Sequence, residues 1–191
     1  SAPSVVSAVL SGIYVKTGLY MFLRIQETFG PVLDTSQLFL YLGFITAVAG
    51  FVLAVAQKDL KLILAYHTVS QVGLIMMGIN MGGEQNFIGG VYHIVNHAFF
   101  KSTLFLTAGM VIDTYKTRNV YEIEGVFRRM PLVGIATIMA ILGITGAPFF
   151  NGSISKYWIA YGTGQTWAEY GLLLVNFGTI LSFVKYSRIF F

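Results

Sequence analysis

The sequence predicts an all-α membrane protein with about six transmembrane helices, one of them broken. Hydrophobic residues make up 55% of the 191 residues and charged residues only 10%, whereas a soluble domain carries about 25% charged residues. Six apolar stretches are each close to or above the roughly 20 residues that a helix needs to cross a bilayer. Basic residues gather in alternate connections between these stretches, as the positive-inside rule expects for an even number of spans.

The six stretches follow one another without an intervening extramembrane domain, so residues 1–191 form a single transmembrane domain. They lie at about 5–24, 37–57, 62–81, 86–112, 132–161 and 169–190. The longest connection is 113–131. The chain starts at Ser1 with neither an initiator Met nor a basic signal-peptide region, so we expect a piece of a longer polypeptide.

The distribution of Lys and Arg predicts the orientation. Eight basic residues fall on one side of the six spans: Lys58, Lys61, Lys116, Arg118, Arg128, Arg129, Lys185 and Arg188. The opposite side has only Arg24, at its edge. Both ends of this segment are therefore expected to face the cytoplasm.

Three lysines lie inside the apolar stretches: Lys16, Lys101 and Lys156. No Asp or Glu shares these stretches with them. An ionised Lys in hydrocarbon costs about 2.5 to 3.5 kcal/mol on insertion scales, so such residues face a protein interior or a water-filled path. The default interpretation of all three is functional, as members of a proton or cation route.

The fourth stretch carries a row of titratable residues. His93, His97 and Lys101 are spaced four residues apart and project from one helix face. Such a stripe can pass a proton in short hops, because histidine titrates near physiological pH. Two histidines at this spacing also suit zinc, but no convincing third ligand accompanies them, so we predict no metal. Histidines that only hydrogen-bond between helices are the remaining alternative.

The fifth stretch contains the sequence of a broken helix. Gly146, Pro148 and Gly152 interrupt it near 146–152, and Lys156 follows. Proline removes a backbone donor and clashes with the preceding turn. Transporters use broken helices to build ion sites at mid-membrane. The alternative is an ordinary proline kink with Lys156 extending to the membrane surface.

Two further residues could give access to the stripe from the cytoplasmic side. His67 lies about two turns inside the third stretch, and a helix-packing role is as consistent with that position. Lys61 lies at the boundary, where it also serves as a topology anchor.

Composition excludes several other classes. There is no Cys, so disulfides and thiolate metal sites are absent from the sequence. The net charge of +4 is distributed rather than clustered, so no nucleic-acid partner is predicted. We predict no cofactor.

Four sets of residues together resemble the antiporter-like subunits of respiratory complex I, Mrp-type cation/proton antiporters and membrane-bound hydrogenases. They are residues 2–8 with 15–20, residues 57–73 (QKDLKLILAYHTVSQVG), residues 92–106 (YHIVNHAFFKSTLFL), and Met130-Pro131 with Gly146-Ala147-Pro148 and Ser155-Lys156. They occur in the family's order and cover nearly the whole chain.

The resemblance implies a place for each lysine in the family's pattern. Family subunits contain two inverted helix repeats, each with a broken helix, and this chain resembles the last helix of the first repeat plus the second. The position of Lys16 links the two half-channels, that of Lys101 is a central relay, and that of Lys156 is the terminal residue on the broken helix. The family's glutamate and lysine of the first repeat would precede Ser1. His67 stands where many relatives have Ser.

We therefore expect a proton-translocating subunit of a multisubunit complex in a prokaryotic plasma membrane, with other membrane subunits and the lipid bilayer as partners. Protons, and as an open alternative Na⁺, are its cargo. The residues within the motifs favour a subunit of an Mrp-type antiporter or of a hydrogenase-linked complex. The alternative is a subunit of complex I, the NADH:quinone oxidoreductase. The competing hypothesis is a membrane scaffold or quinone-associated subunit without an ion path of its own.

Overall fold

The computed structural model describes residues 3–30, 32–161 and 166–191. Ser1, Ala2, Pro31 and residues 162–165 of the last interhelical connection lie outside the described part. The helices in chain order are α1 (Ser4–Phe29, with a π-helical segment at Leu10–Tyr14), α2 (Ser36–Ala56), α3 (Leu60–Asn80), α4 (Glu84–Tyr115), α5 (Val126–Arg129), α6 (Pro131–Thr145), α7 (Asn151–Ala160) and α8 (Thr166–Tyr186, followed by a 3-10 turn at Ser187–Phe190). The described residues form no strand, which confirms the predicted all-α class.

Four helical segments are long and apolar enough to cross a membrane. They are Ser4–Phe29, Ser36–Ala56, Leu60–Asn80 and Trp167–Phe190. Helix α4 is longer, at 32 residues, but its polar residues lower its hydropathy. Helices α6 and α7 are two short pieces separated at 146–150, where the sequence predicts a break at 146–152. The count of six spans stays a prediction.

Helix α1 continues past the end that hydropathy predicts, from residue 24 to Phe29. Its last turns are stabilised by an ion pair between Arg24 and Glu27, 2.5 Å apart, at the i,i+3 spacing that supports a helix. The Gln26 amide also donates to the Asn80 side chain at the end of α3, over 2.5 Å. Hydropathy marks where apolar residues stop, whereas these polar contacts decide where the helix stops.

Helix α3 packs closely against α2 through small residues. A Cβ added to Gly73 would lie 2.4 Å from the backbone nitrogen of Ala47 and 2.5 Å from the carbonyl oxygen of Gly43. The Ser70 hydroxyl donates to the Ala47 carbonyl over 2.9 Å. Small residues allow such backbone approach in membrane helices, where lipid gives no hydrophobic drive for association.

The break between α6 and α7 is a Schellman turn followed by a second turn, in which Phe149 has φ +71 and the Phe150 N–H donates to the Ala147 carbonyl over 3.2 Å. Gly146 has φ +78, in the left-handed region. Its N–H donates to the Gly143 carbonyl over 3.2 Å, and the Ala147 N–H donates to the Leu142 carbonyl over 2.9 Å. These two bonds define the turn. The Ile144 carbonyl takes part in neither of these two bonds. It faces α7, where it accepts a hydrogen bond from Lys156.

One end of the bundle is held together by backbone contacts between the connections and the C-terminus. Leu60 donates its N–H to the Arg118 carbonyl, and Val120 donates to the Lys58 carbonyl, each over 2.9 Å. The Lys185 ammonium donates to the carbonyls of Ala54 and Val55, over 3.2 and 2.6 Å, and to that of Gln57. It therefore caps the C-terminus of α2, where a cation is favourable.

In the loop at the same end, Glu122 accepts hydrogen bonds from Thr117 over 2.5 Å and from the Asn119 amide over 2.7 Å. These donors favour the ionised form and lower the pKa of its carboxyl below the usual range.

We predict that Gly73→Ala lowers the free energy of unfolding by about 1–3 kcal/mol, because the added methyl group collides with α2 backbone that cannot move aside. Thermal unfolding of the full-length subunit in detergent would measure this. Gly18→Ala is the matched control, since a Cβ there meets no atom within 4 Å in the described structure. Equal losses for both variants, or none at Gly73, would contradict this account of the α2–α3 contact.

Candidate functional site

The stripe on α4 lies in the protein interior. His93, His97 and Lys101 are each 0% exposed. Their spacing along α4 places them one helical turn apart, in the direction from the α7 side toward the α1 side. The ring centroids of His93 and His97 are 6.3 Å apart.

The Lys101 ammonium has one hydrogen-bond acceptor in the described structure. It donates to the Leu64 carbonyl on α3 over 2.6 Å and lies 5.9 Å from the centroid of the Phe105 ring. The ion pairs Arg24–Glu27 and Asp59–Arg118 both lie away from the interior lysines. The charge is therefore held by an oxygen dipole and an aromatic face rather than by a carboxylate.

A hydrogen-bonded group connects Lys16 on α1 to Lys101. The half-buried Lys16 donates to the Ser11 carbonyl, within the π-helical segment. The Ser11 and Thr68 hydroxyls are 2.7 Å apart, and Thr68 also donates to the Leu64 carbonyl over 3.1 Å. That carbonyl is the one that Lys101 contacts. The Ser11–Thr68 hydroxyl pair therefore lies between the carbonyl that Lys16 contacts and the carbonyl that Lys101 contacts.

A second hydrogen-bonded group contains His93. One imidazole nitrogen, Nδ1, is 2.8 Å from the Ser155 hydroxyl on α7, and the other, Nε2, is 3.0 Å from the Gln71 side-chain oxygen on α3. Gln71 in turn donates to Thr179 on α8 over 3.4 Å. Ser155 directly precedes Lys156, so this group extends from α4 to the broken helix.

His97 lies between the two groups. Neither of its ring nitrogens has a hydrogen-bond partner in the described part of the chain, although both are buried. Burying a polar atom without a partner costs free energy. The ring of His97 is therefore not fixed by a hydrogen bond to the described residues, and neither is the ring of His67.

Lys156 lies on α7 just after the break. Its half-buried ammonium donates to the Ile144 carbonyl over 2.6 Å and to the Asn176 side-chain oxygen over 2.8 Å. A cavity of about 230 Å³ adjoins it, lined partly by Gly146, Ser153 and Asn176. Lys156 is therefore held inside by two oxygens, unlike a lysine that extends to the membrane surface.

Asn176 is a site residue that sequence reasoning missed. The sequence could have indicated it, because Asn176 is the first polar side chain after the apolar run 172–175 on α8. The Ser11–Thr68 hydroxyl pair, whose two residues lie 57 positions apart, was missed as well.

The two residues considered for access lie in different places. Lys61 is half-buried and lines a cavity of about 540 Å³, which extends past Arg118 to Ser11 and Thr68. His67 does not border this cavity. It is 0% exposed and stacks on Phe183 of α8, with ring centroids 4.7 Å apart and no hydrogen bond to either ring nitrogen among the described residues.

The described residues contain no group of three or more His, Cys, Asp or Glu side chains able to hold a metal ion. The acceptors of the interior lysines are neutral oxygens, three backbone carbonyls and the Asn176 side-chain amide, which suit hard monovalent cations better than transition metals.

The family described as "NADH:quinone oxidoreductase/Mrp antiporter, TM" matches residues 1–183 of the chain. The chain belongs to this family. Membership, together with the apolar helices, makes it a multi-pass membrane protein, and it confirms the resemblance on which the sequence prediction depends.

Curated members of the family share about a third of their residues with the chain. A probable K⁺/H⁺ antiporter subunit of Rhizobium meliloti is 35% identical over 82% of this chain and 16% of its own length. A Na⁺/H⁺ antiporter subunit of Alkalihalophilus pseudofirmus is 35% identical over 81% of this chain and 21% of its own length. The chain therefore spans about a fifth of the length of these relatives.

Solved structures of the family have the same fold over nearly the whole chain. A chain of the archaeal membrane-bound sulfane sulfur reductase superposes with a TM-score of 0.91 at 28% identity, covering 100% of this chain and 40% of that one. A chain of the Mrp complex from Dietzia gives 0.87 at 28% identity, covering 98% and 36%. A chain of respiratory complex I from Thermus thermophilus gives 0.89 at 23% identity, covering 99% and 41%, which shows a shared fold.

We predict that Lys101→Met leaves the free energy of unfolding unchanged or raises it by up to about 2 kcal/mol. One carbonyl does not offset the cost of burying an ammonium, and apolar replacements of buried charges are often neutral or stabilising. Equilibrium unfolding of the full-length subunit in detergent micelles would measure the change.

Leu104→Ala on the same helix is the control for that experiment. Leu104 is 0% exposed, and its truncation should cost about 2–5 kcal/mol. A loss of more than about 1 kcal/mol in Lys101→Met would show that the lysine stabilises the fold, as the scaffold hypothesis requires.

Proposed function

We propose that this chain forms half of the proton path in an antiporter-like subunit of a multisubunit membrane complex. One observation carries the proposal. Two hydrogen-bonded groups, one from Lys16 to Lys101 and one from His93 to Ser155 beside Lys156, lie in series through the interior, and His97 lies between them on α4.

Proton movement along this series follows from the chemistry of its members. Lysine and histidine accept and release protons, and serine and threonine hydroxyls both donate and accept hydrogen bonds. Internal water carries the proton over the gaps on either side of His97 and past the Ser11 and Leu64 carbonyls, which accept hydrogen bonds but have no proton to pass on. A proton arriving at Lys156 leaves toward the bulk through the adjoining cavity.

Like-charge repulsion couples the lysines. Lys16 contacts the Ser11 carbonyl and Lys101 contacts the Leu64 carbonyl, and the Ser11 and Thr68 hydroxyls lie between these two contacts. A positive charge on one disfavours a positive charge on the other, so the two titrate as a pair. Loading Lys16 therefore drives a proton from Lys101 toward His97, and no carboxylate is needed for this step.

Access from the cytoplasmic side follows the cavity beside Lys61. That cavity reaches the Ser11–Thr68 hydroxyls, which contact both Lys16 and Lys101 through the Ser11 and Leu64 carbonyls. His67 gives a separate branch along α8, because it stacks on Phe183 rather than facing the cavity.

The orientation is supported by the contacts at one end of the bundle. The connection at 57–60, the loop at 116–125 and the C-terminal turn all meet there. They carry Lys58, Lys116, Arg118 and Arg188, and Lys61, Arg128, Arg129 and Lys185 lie within four residues of them. By the positive-inside rule this end faces the cytoplasm of a prokaryotic cell. Other membrane subunits surround the chain, as in the complexes to which the solved relatives belong.

The cation exchanged for protons is Na⁺ or K⁺. The two curated relatives are described as K⁺/H⁺ and Na⁺/H⁺ antiporter subunits. We infer from these relatives that the complex containing this chain exchanges protons for an alkali cation.

Lys101→Ala in the intact complex tests the relay. We expect proton translocation in reconstituted vesicles to fall by about tenfold or more, because proton transfer by a positioned side chain is commonly worth a factor of about 100 or above. Assembly of the complex, followed by gel filtration, should stay normal.

Lys58→Ala is the control, since Lys58 is exposed at the bundle end and its side chain contacts none of the relay residues. Unchanged translocation in a normally assembled Lys101→Ala complex would sink the relay and leave a scaffold role.

A further inference from the structure

The oxygens around Lys156 form a cation-binding arrangement in their own right. The ammonium is 2.6 Å from the Ile144 carbonyl oxygen and 2.8 Å from the Asn176 side-chain oxygen. Both atoms are neutral oxygen ligands, the kind that hard cations prefer. They come from two different helices, α6 and α8, while the lysine comes from a third.

The Ile144 oxygen is available because of the helix break. The Schellman turn at Gly146 uses the carbonyls of Leu142 and Gly143, and Ile144 follows them at the C-terminal end of α6. A helix C-terminus carries partial negative charge. Interrupted helices in transporters use such ends and their carbonyls to coordinate cations.

The space beside these oxygens is large enough for a hydrated ion. The adjoining cavity of about 230 Å³ is lined mostly by apolar residues such as Leu172 and Leu173, and its polar side is formed by Ser153, Lys156 and Asn176. A water takes about 30 Å³, so several waters can complete a coordination shell. Gly146 lies close to the lysine, because a Cβ there would be 3.2 Å from the Lys156 Cδ atom.

We propose that the Ile144 carbonyl and the Asn176 side-chain oxygen form an alkali-cation site that the Lys156 ammonium occupies in competition with the ion. The proposal deepens the function proposed above and rests on it. The cation enters only when Lys156 has given up its proton and withdrawn. The overall step is Lys156–NH₃⁺ plus M⁺ giving Lys156–NH₂ plus site-bound M⁺ plus H⁺, with the proton passing to water in the cavity.

Charge balance favours this exchange. The site holds one positive charge before and after, so exchanging the ammonium for the ion adds no net charge to a low-dielectric region, where an unbalanced one would be costly. Because ammonium and cation compete for the same two oxygens, one proton leaves for each cation that binds. This competition couples the two fluxes without a moving domain.

The alternative is that Asn176 only positions Lys156. In that case Asn176 contributes to the orientation of the lysine, and alkali cations have no effect on its proton. The two roles differ in whether a cation expels a proton from the protein.

The experiment measures proton release on addition of salt. The purified complex in detergent, weakly buffered, receives NaCl, KCl or choline chloride, and a pH indicator records the protons released. For the wild type we expect NaCl, KCl or both to release up to one proton per complex from this site, and choline chloride none. The salt that acts at lower concentration identifies the preferred ion.

Two variants assign the release to this site. Lys156→Gln should abolish it, and Asn176→Ala should raise the half-saturating cation concentration by about tenfold or more, as loss of groups around a bound ion commonly does. Lys185→Gln is the matched control, because it removes an ammonium from the carbonyls at another helix C-terminus, that of α2, and should leave the release unchanged.

The experiment still tests the proposed cation site if one of the two variants fails to assemble. If Asn176→Ala does not assemble, loss of release in Lys156→Gln supports the site and retained release overturns it. Release that is equal in wild type and both variants overturns it as well. A Lys101→Ala complex separates the two proposals, since it should lose translocation yet keep cation-driven release at Lys156.

Discussion

The structure depends on how positive charge is held in hydrocarbon without a carboxylate. Lys16, Lys101 and Lys156 each donate to a backbone carbonyl: those of Ser11, Leu64 and Ile144. In a regular helix every interior carbonyl already accepts an intrahelical bond, so a lysine needs irregular backbone or a second lone pair. The π-helical segment of α1 and the break after α6 supply irregular backbone beside Lys16 and Lys156.

The packing of α3 follows from the same requirement. Helix α3 presents the Leu64 carbonyl and the Thr68 hydroxyl to one side and Gln71 to the other. It can do so only where its remaining face approaches α2 closely, through Gly73 and the Ser70 hydroxyl on Ala47. Backbone contact on one face leaves the other faces of α3 free for polar side chains, which explains why this apolar helix carries so many polar groups in the interior.

Local features of the site could be predicted from the sequence because they depend on short-range rules. The spacing of His93, His97 and Lys101 requires only the helix period, and Gly146 with Pro148 marks the break by backbone chemistry. Asn176 and the Ser11–Thr68 pair were missed because their partners come from other helices. A π-helical turn was missed at Leu10–Tyr14, although the Ser11-Gly12 pair within it is a sequence at which helices depart from regular geometry. The extension of α1 depends on polar contacts that hydropathy does not register.

In the proposed proton path, His97 is the member whose buried ring has no hydrogen bond to the described residues. The groups on either side of it are satisfied by hydrogen bonds, whereas both nitrogens of His97 lack partners in the described structure. A direct hydrogen bond to either neighbour would stabilise the fold, but it would also fix the tautomer and the position of one proton. An imidazole without a fixed partner can receive a proton from the Lys101 side and pass it on toward His93 with either nitrogen. In the proposed relay, the unpartnered ring keeps both nitrogens of His97 open to a proton that passes between the Lys101 group and the His93 group.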